Sequence, residues 1–116
     1  MPVLVRTKNV YKTWQHVSDS FPKPFRFGLG GKIENLFLEI LEIQFLATFS
    51  QQREKIELIT KCVIRLDVLK FFMQISWENK HLKEKIYIPI SKELDQIGRE
   101  VSSWKKFLGN KNSRKG

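Results

Sequence analysis

The sequence predicts an all-α fold, an antiparallel up-down-up-down four-helix bundle, and three observations carry that reading. Apolar residues recur at three- and four-residue spacing through four long segments. Period-two alternation, the mark of a half-buried strand, is nowhere sustained. The second and third segments are joined by little more than Ser50-Gln51, a connection that forces antiparallel neighbours.

In chain order, the first helix is expected from about Arg6 to Ser20, with Val10, Trp14, Val17 and Phe21 on one face. Phe21-Pro22-Lys23-Pro24-Phe25 ends it, because each proline lacks an amide donor and disfavours helix in the residue before it. The second helix begins near Gly28, Gly30 and Gly31 and reaches Phe49, with Leu29, Ile33, Leu36, Phe37, Ile40, Ile43 and Ala47 as its core stripe. The third opens at Gln52 or Arg53 and runs to Trp77 over Ile59, Cys62, Val63, Leu66, Leu69 and Met73. The polar run Glu78-Asn79-Lys80-His81 leads into the fourth, striped by Ile86, Ile90, Leu94, Ile97, Val101, Trp104 and Leu108. Pro89 inside it predicts a kink or a short opening turn. Gly109-Asn110 is expected to stop it, leaving residues 1–110 as one bundle domain and 111–116 as a basic, disordered tail.

Helices two and three carry a second apolar stripe behind the first. On helix two it is Leu38, Phe45 and Phe49; on helix three it is Ile64, Val68, Phe71 and Ile75. A bundle helix needs one apolar face, and a helix apolar all round is normally buried all round. These seven residues are therefore the candidate contact between subunits, and the chain reads as self-associating.

The net charge of +9 is unevenly placed. Residues 1–32 hold six Lys or Arg against Asp19 alone, residues 33–104 hold ten against eleven acids, and residues 105–116 hold five and no acid. In this topology the first helix begins where the fourth ends, so Arg6, Lys8 and Lys12 are expected near Lys105 and Lys106, with summed fields suited to a polyanion such as nucleic acid. A solubility charge plus a tail is the alternative reading. Lys32, near a helix start, is a further phosphate candidate, whereas Gly30-Gly31 lacks the spacing of a phosphate-cradling loop.

Groups for catalysis are sparse. His16 and His81 have no Cys or carboxylate at metal-ligand spacing, so neither a metal nor a cofactor is expected. Small helical ribonucleases of the HEPN class pair an Arg with a His shortly after it. The nearest ordered pairs here, Arg6 with His16 and Arg65 with His81, are too far apart. Glu39 and Glu42 share a helix face without the Glu-x-x-His partner of a di-metal bundle and read as a salt-bridging face. Cys62 sits among apolar positions as core filler and rules out an internal disulfide. No stretch has the length of a membrane span, and Met1 to Thr7 lacks a signal-peptide apolar region, so the expected location is the cytoplasm.

Three segments bear a family resemblance. Phe21-Pro-Lys-Pro-Phe-Arg-Phe-Gly-Leu-Gly running into Ile33-Glu-Asn-Leu-Phe-Leu-Glu-Ile-Leu-Glu is similar to the start of the second helix in Avd, the accessory variability determinant of diversity-generating retroelements. Arg65-Leu-Asp-Val-Leu-Lys-Phe-Phe resembles that family's Leu-Arg-Phe region, and Leu94-Asp-Gln-Ile-Gly-Arg-Glu-Val-Ser-Ser-Trp its Ile-Gly-Arg and Trp signature. The resemblance implies a homopentameric barrel of four-helix subunits that binds reverse transcriptase and RNA or DNA and supports mutagenic retrohoming without catalysis of its own. It adds Lys70 and Arg99 to the candidate phosphate contacts, for which snorkelling and a subunit salt bridge are the competing roles, and it makes Gly98 and Trp104 packing residues. The full set of candidate nucleic-acid contacts is Lys8, Lys12, Lys23, Arg26, Lys32, Lys70, Arg99, Lys105 and Lys106. Gln74 and Ser102-Ser103 depart from the family pattern. Two alternatives share the fold: the four-helix proteins of ribosomal-RNA intervening sequences, whose Asn-Ile-Ala-Glu-Gly-like segment is missing here, and a structural adaptor with no nucleic-acid role.

Overall fold

The computed structural model describes the backbone of residues 2–115 and the side chains of residues 2–109. Five helices follow one another: α1 Pro2–Ser18, α2 Lys23–Phe27, α3 Leu29–Phe49, α4 Gln52–Glu78 and α5 Glu84–Lys115. No strand occurs among the described residues. Helix α1 packs on α3 and α5, and α4 packs on the other sides of the same two, while α2 lies against α3. The result is a helical rod of 52 × 21 × 20 Å.

Helix α1 starts at Pro2, earlier than the expected Arg6. Proline suits the first helical position, where its missing amide would have had no partner in any case. The added turn buries Val3, and the carbonyl of Val3 accepts from the buried Thr7 hydroxyl at 2.8 Å. Farther along, Trp14 is fully buried between Phe21 and Phe37.

The proline segment does turn the chain, and it does so through a helix of its own. Pro24 stands in the first turn of α2 and Pro22 caps it, so neither removes a needed donor. Phe25 is the buried anchor: its ring meets Phe21 edge-on at 4.8 Å and lies 4.6 Å from His81 in the α4–α5 turn. The corner into α3 is tight. A Cβ on Gly30 would lie 2.9 Å from the Phe25 carbonyl oxygen.

Helices α3 and α4 form a hairpin across Ser50-Gln51, and their core stripes are close to those expected. Ile33, Leu36, Phe37, Ile40, Ala47, Ile59, Cys62, Leu66, Leu69 and Met73 are buried, whereas Leu29, Ile43 and Val63 are half-buried. One polar side chain joins that core: Gln44 is 1% exposed, and its amide nitrogen reaches the Cys62 sulfur at 3.9 Å while its oxygen has no partner. Helix α4 ends in a Schellman turn, with the His81 amide bonded to Ser76 O, the Lys80 amide to Trp77 O, and Lys80 at φ 64°.

Helix α5 is continuous through Pro89, so of the kink or short opening turn expected there the separate turn does not occur, and the helix runs past Gly109-Asn110 to Lys115. The side chains of the expected basic tail lie outside the described residues. No helix among the described residues is long and apolar enough to cross a membrane.

Candidate assembly and nucleic-acid surfaces

In α4 the buried positions fall on one side of the helix, and a row displaced by half a turn falls opposite. Ile64 and Phe71 on that row are exposed, and Val68 and Ile75 are half-buried. The same geometry in α3 exposes Leu38, Phe45 and Phe49, with Leu46 beside them, a residue the stripe pattern missed. Phe49 is 75% exposed and Phe71 58%. Between the helices Arg65 pairs with Glu39 at 2.9 Å, so Glu39 is a salt-bridging residue within the chain. An aromatic side chain presents about 150–250 Å², so Phe45, Phe49 and Phe71 leave on the order of 400 Å² of apolar surface in water.

The basic candidates separate into three places. Lys23, Arg26 and Lys32 lie on α2 and the start of α3, at the end of the rod that also carries the α4–α5 turn. Lys12 joins them: it lines a cleft of about 710 Å³ with Arg26, His16, Phe27, Asp19 and Glu34. It was expected beside Lys105 and Lys106, but Thr13, its neighbour, is level with Pro89, while Pro2 is level with Trp104. Fifteen residues of α5 separate those two levels, about 22 Å at 1.5 Å per residue.

Lys70 and Arg99 come together on the second site, a groove of about 320 Å³ between α4 and α5 that also holds Asp67, Asp95, Gly98 and Ser102. Lys70 Nζ is 3.3 Å from Asp95, and Arg99 donates to Gln96 Oε1 at 3.1 and 2.7 Å. Two cations and two carboxylates leave this groove balanced. Gly98 serves Lys70 directly, since a Cβ there would lie 2.9 Å from its ammonium nitrogen. What approaches Gly98 is a side-chain tip; the expected close approach was that of a helix.

Lys105 and Lys106 are exposed at the third place, late on α5, and Lys8 is exposed on α1. Arg6, expected to add to their field, is answered by Glu93 at 3.0 Å and Glu100 at 3.2 Å. Its high pKa is pushed up further, first by the hydrogen bond to Glu93 and then by the charge of Glu100. Sequence reasoning passed over Lys80, Lys83 and Lys85, all exposed around the α4–α5 turn and on the same end as α2. Their signal was present as three lysines, against Glu78 and Glu84, in the stretch from 78 to 85.

Among the described residues no group of His, Cys, Asp or Glu is arranged to hold a metal ion. Burial pushes the Cys62 thiol up to about 11, with the weak Gln44 contact opposing it. Burial also raises Tyr11, helped by its 2.9 Å hydrogen bond to Glu34. Set against family models, curated proteins and solved structures, the chain matches none of them.

Proposed function

We propose that this chain is a non-catalytic accessory subunit of the Avd kind. It is a four-helix bundle that joins copies of itself in a homopentameric ring, binds reverse transcriptase and RNA or DNA in the cytoplasm, and supports mutagenic retrohoming. The observation that carries the reading is the outward apolar row on α3 and α4, of which Leu38, Phe45, Phe49, Ile64 and Phe71 stand exposed. The three resembling segments and the excess of nine positive charges point the same way.

The bundle supplies rigid helices, the outward rows seal subunit to subunit, and the exposed cations hold a phosphate backbone near the polymerase. Multi-angle light scattering on the wild-type chain tests the assembly: a pentamer supports it and a stable monomer overturns it. Nucleic-acid affinity should fall about ten-fold or more between roughly 50 and 200 mM salt if several phosphates are contacted. Affinity that ignores salt overturns that part. Sequencing the DNA around the gene tests the biological role. A reverse-transcriptase reading frame and paired repeats differing mainly at adenines support it, and a ribosomal RNA operon in their place overturns it in favour of the intervening-sequence group.

A further inference from the structure

The most exposed large apolar side chain among the described residues lies outside the α3 and α4 rows: it is Phe27, 84% exposed, at the end of α2. Its position follows from the local fold. In a one-turn helix, residues two apart point to opposite sides, so seating Phe25 in the core turns Phe27 outward. Phe25 is held by Phe21 and His81, and the tight Gly30 corner fixes the following helix against it. The outward ring is therefore mounted on an anchored base.

Its surroundings are cationic. From Ser20 to Ile33 the chain holds Lys23, Arg26 and Lys32 and no acid. None of these three, nor Lys12 across the cleft, makes an ion pair among the described residues, whereas Arg6, Arg65 and Lys70 all do. Asp19 and Glu34 line the same cleft as Lys12, Arg26 and Phe27, and Glu34 is engaged by the Tyr11 hydroxyl. A single ring among free cations is ill suited to an apolar protein interface, which needs a contiguous patch. It suits a strand whose bases present flat faces and whose phosphates carry charge.

We propose that the α2 end binds single-stranded nucleic acid, with the Phe27 ring stacked on an unpaired base and Lys23, Arg26 and Lys32 meeting the flanking phosphates. This rests on the nucleic-acid part of the function proposed above and names where and how that contact is made. Duplex is the poorer ligand, because its base faces are covered by their neighbours.

The test is fluorescence anisotropy of the full chain with a labelled single strand of about twelve uridylates, an abasic strand of the same length, and a duplex of the same length. Phe27→Ala should weaken the uridylate strand about 5- to 150-fold, the range expected for loss of one stacked base, and leave the abasic strand unchanged. Phe27→Trp should restore binding. Arg26→Gln should weaken both strands and lower the salt slope by about 0.7, whereas Phe27→Ala leaves the slope intact. If Phe27→Ala binds uridylate as well as wild type while Arg26→Gln does not, stacking is overturned and the nucleic-acid reading stands. If the wild-type chain binds none of the three, both fall. If Phe27→Ala changes the assembly mass, the ring belongs to a protein contact and the proposal is overturned. Circular dichroism checks that each variant keeps its helicity.

Discussion

Two glycine-to-alanine substitutions, Gly30→Ala and Gly98→Ala, should move stability in opposite directions, although an added Cβ would meet its nearest atom at 2.9 Å in both cases. At Gly98 that atom is the ammonium nitrogen of Lys70, the tip of a flexible side chain, and the next is a Leu66 methyl carbon at 3.5 Å, an ordinary contact. Lys70 has only to swing away. What it gives up is a 3.3 Å pair with Asp95 at 31% and 54% side-chain exposure, and such surface pairs contribute about 0–1 kcal/mol. Alanine in a helix interior gains about 0.8–1.0 kcal/mol over glycine. The balance for Gly98→Ala therefore lies between about zero and 1 kcal/mol of stabilisation. At Gly30 the near atoms are the Phe25 carbonyl oxygen and two ring carbons of the same buried residue at 3.1 and 3.2 Å. None can retreat without moving α2, and overpacking of that kind costs about 1–3 kcal/mol. Propensity offsets little of this, because Gly30 is the second residue of α3 and lies in its first turn. Urea unfolding followed by helicity reads both, at one fixed protein concentration so that any self-association contributes equally to each variant. A Gly98→Ala variant that loses more than about 1 kcal/mol would mean that backbone, and not the Lys70 tip, fills that space. A neutral Gly30→Ala would mean that the α2–α3 corner is looser than its contacts imply.

Four other outcomes follow from the packing. Gln44→Met removes a buried amide oxygen that has no partner and should raise stability by about 1–2 kcal/mol in the same urea assay; a loss would show that the amide is satisfied in solution. Cys62 should resist a thiol reagent in the folded chain and react at once in denaturant, as its 1% exposure requires. Because its folded pKa is raised from 9.0 to about 11, the protonated thiol is favoured in the folded state. Its contribution is complete below about pH 9 and is lost as pH rises toward 11, so the alkaline fall should be shallower in Cys62→Ala. Phe71→Glu places a charge on a residue 58% exposed and should change the unfolding energy of the isolated subunit by no more than about 0.5 kcal/mol, yet reduce the assembled mass in light scattering. Unchanged mass would remove Phe71 from the subunit contact.

The helical core was legible because its signal is periodic and local. Ile59, Cys62, Leu66, Leu69 and Met73 share one face by spacing alone, and all are buried. Helix α2 was not legible, since prolines that break a helix interior are harmless in a first turn, and sequence alone does not say which position they occupy. Gln44 lies between Ile40 and Ala47 on the inward line of α3, but a polar residue there reads as surface, and Ile43 was put in its place. The candidate phosphate residues suffered most. Whether a lysine is free depends on what stands level with it on another helix, and Arg6 against Glu93 and Glu100, or Lys70 against Asp95, is fixed only once α5 is laid beside α1 and α4. Phe27 was visible as a letter, but its exposure follows from Phe25 facing inward two residues earlier.

The turn after α4 leaves a trace of competing demands. Lys80 occupies the left-handed position of the Schellman turn, where a side chain costs about 1 kcal/mol and glycine is the usual solution. A chain with nine excess positive charges has no need of one more for solubility. The strained lysine stands beside His81, which braces Phe25, and so it adds its charge to the end of the rod that displays Phe27. Glycine at this position would relax the backbone and strip a cation from that end, so a firmer turn and a more positive end oppose one another at a single residue.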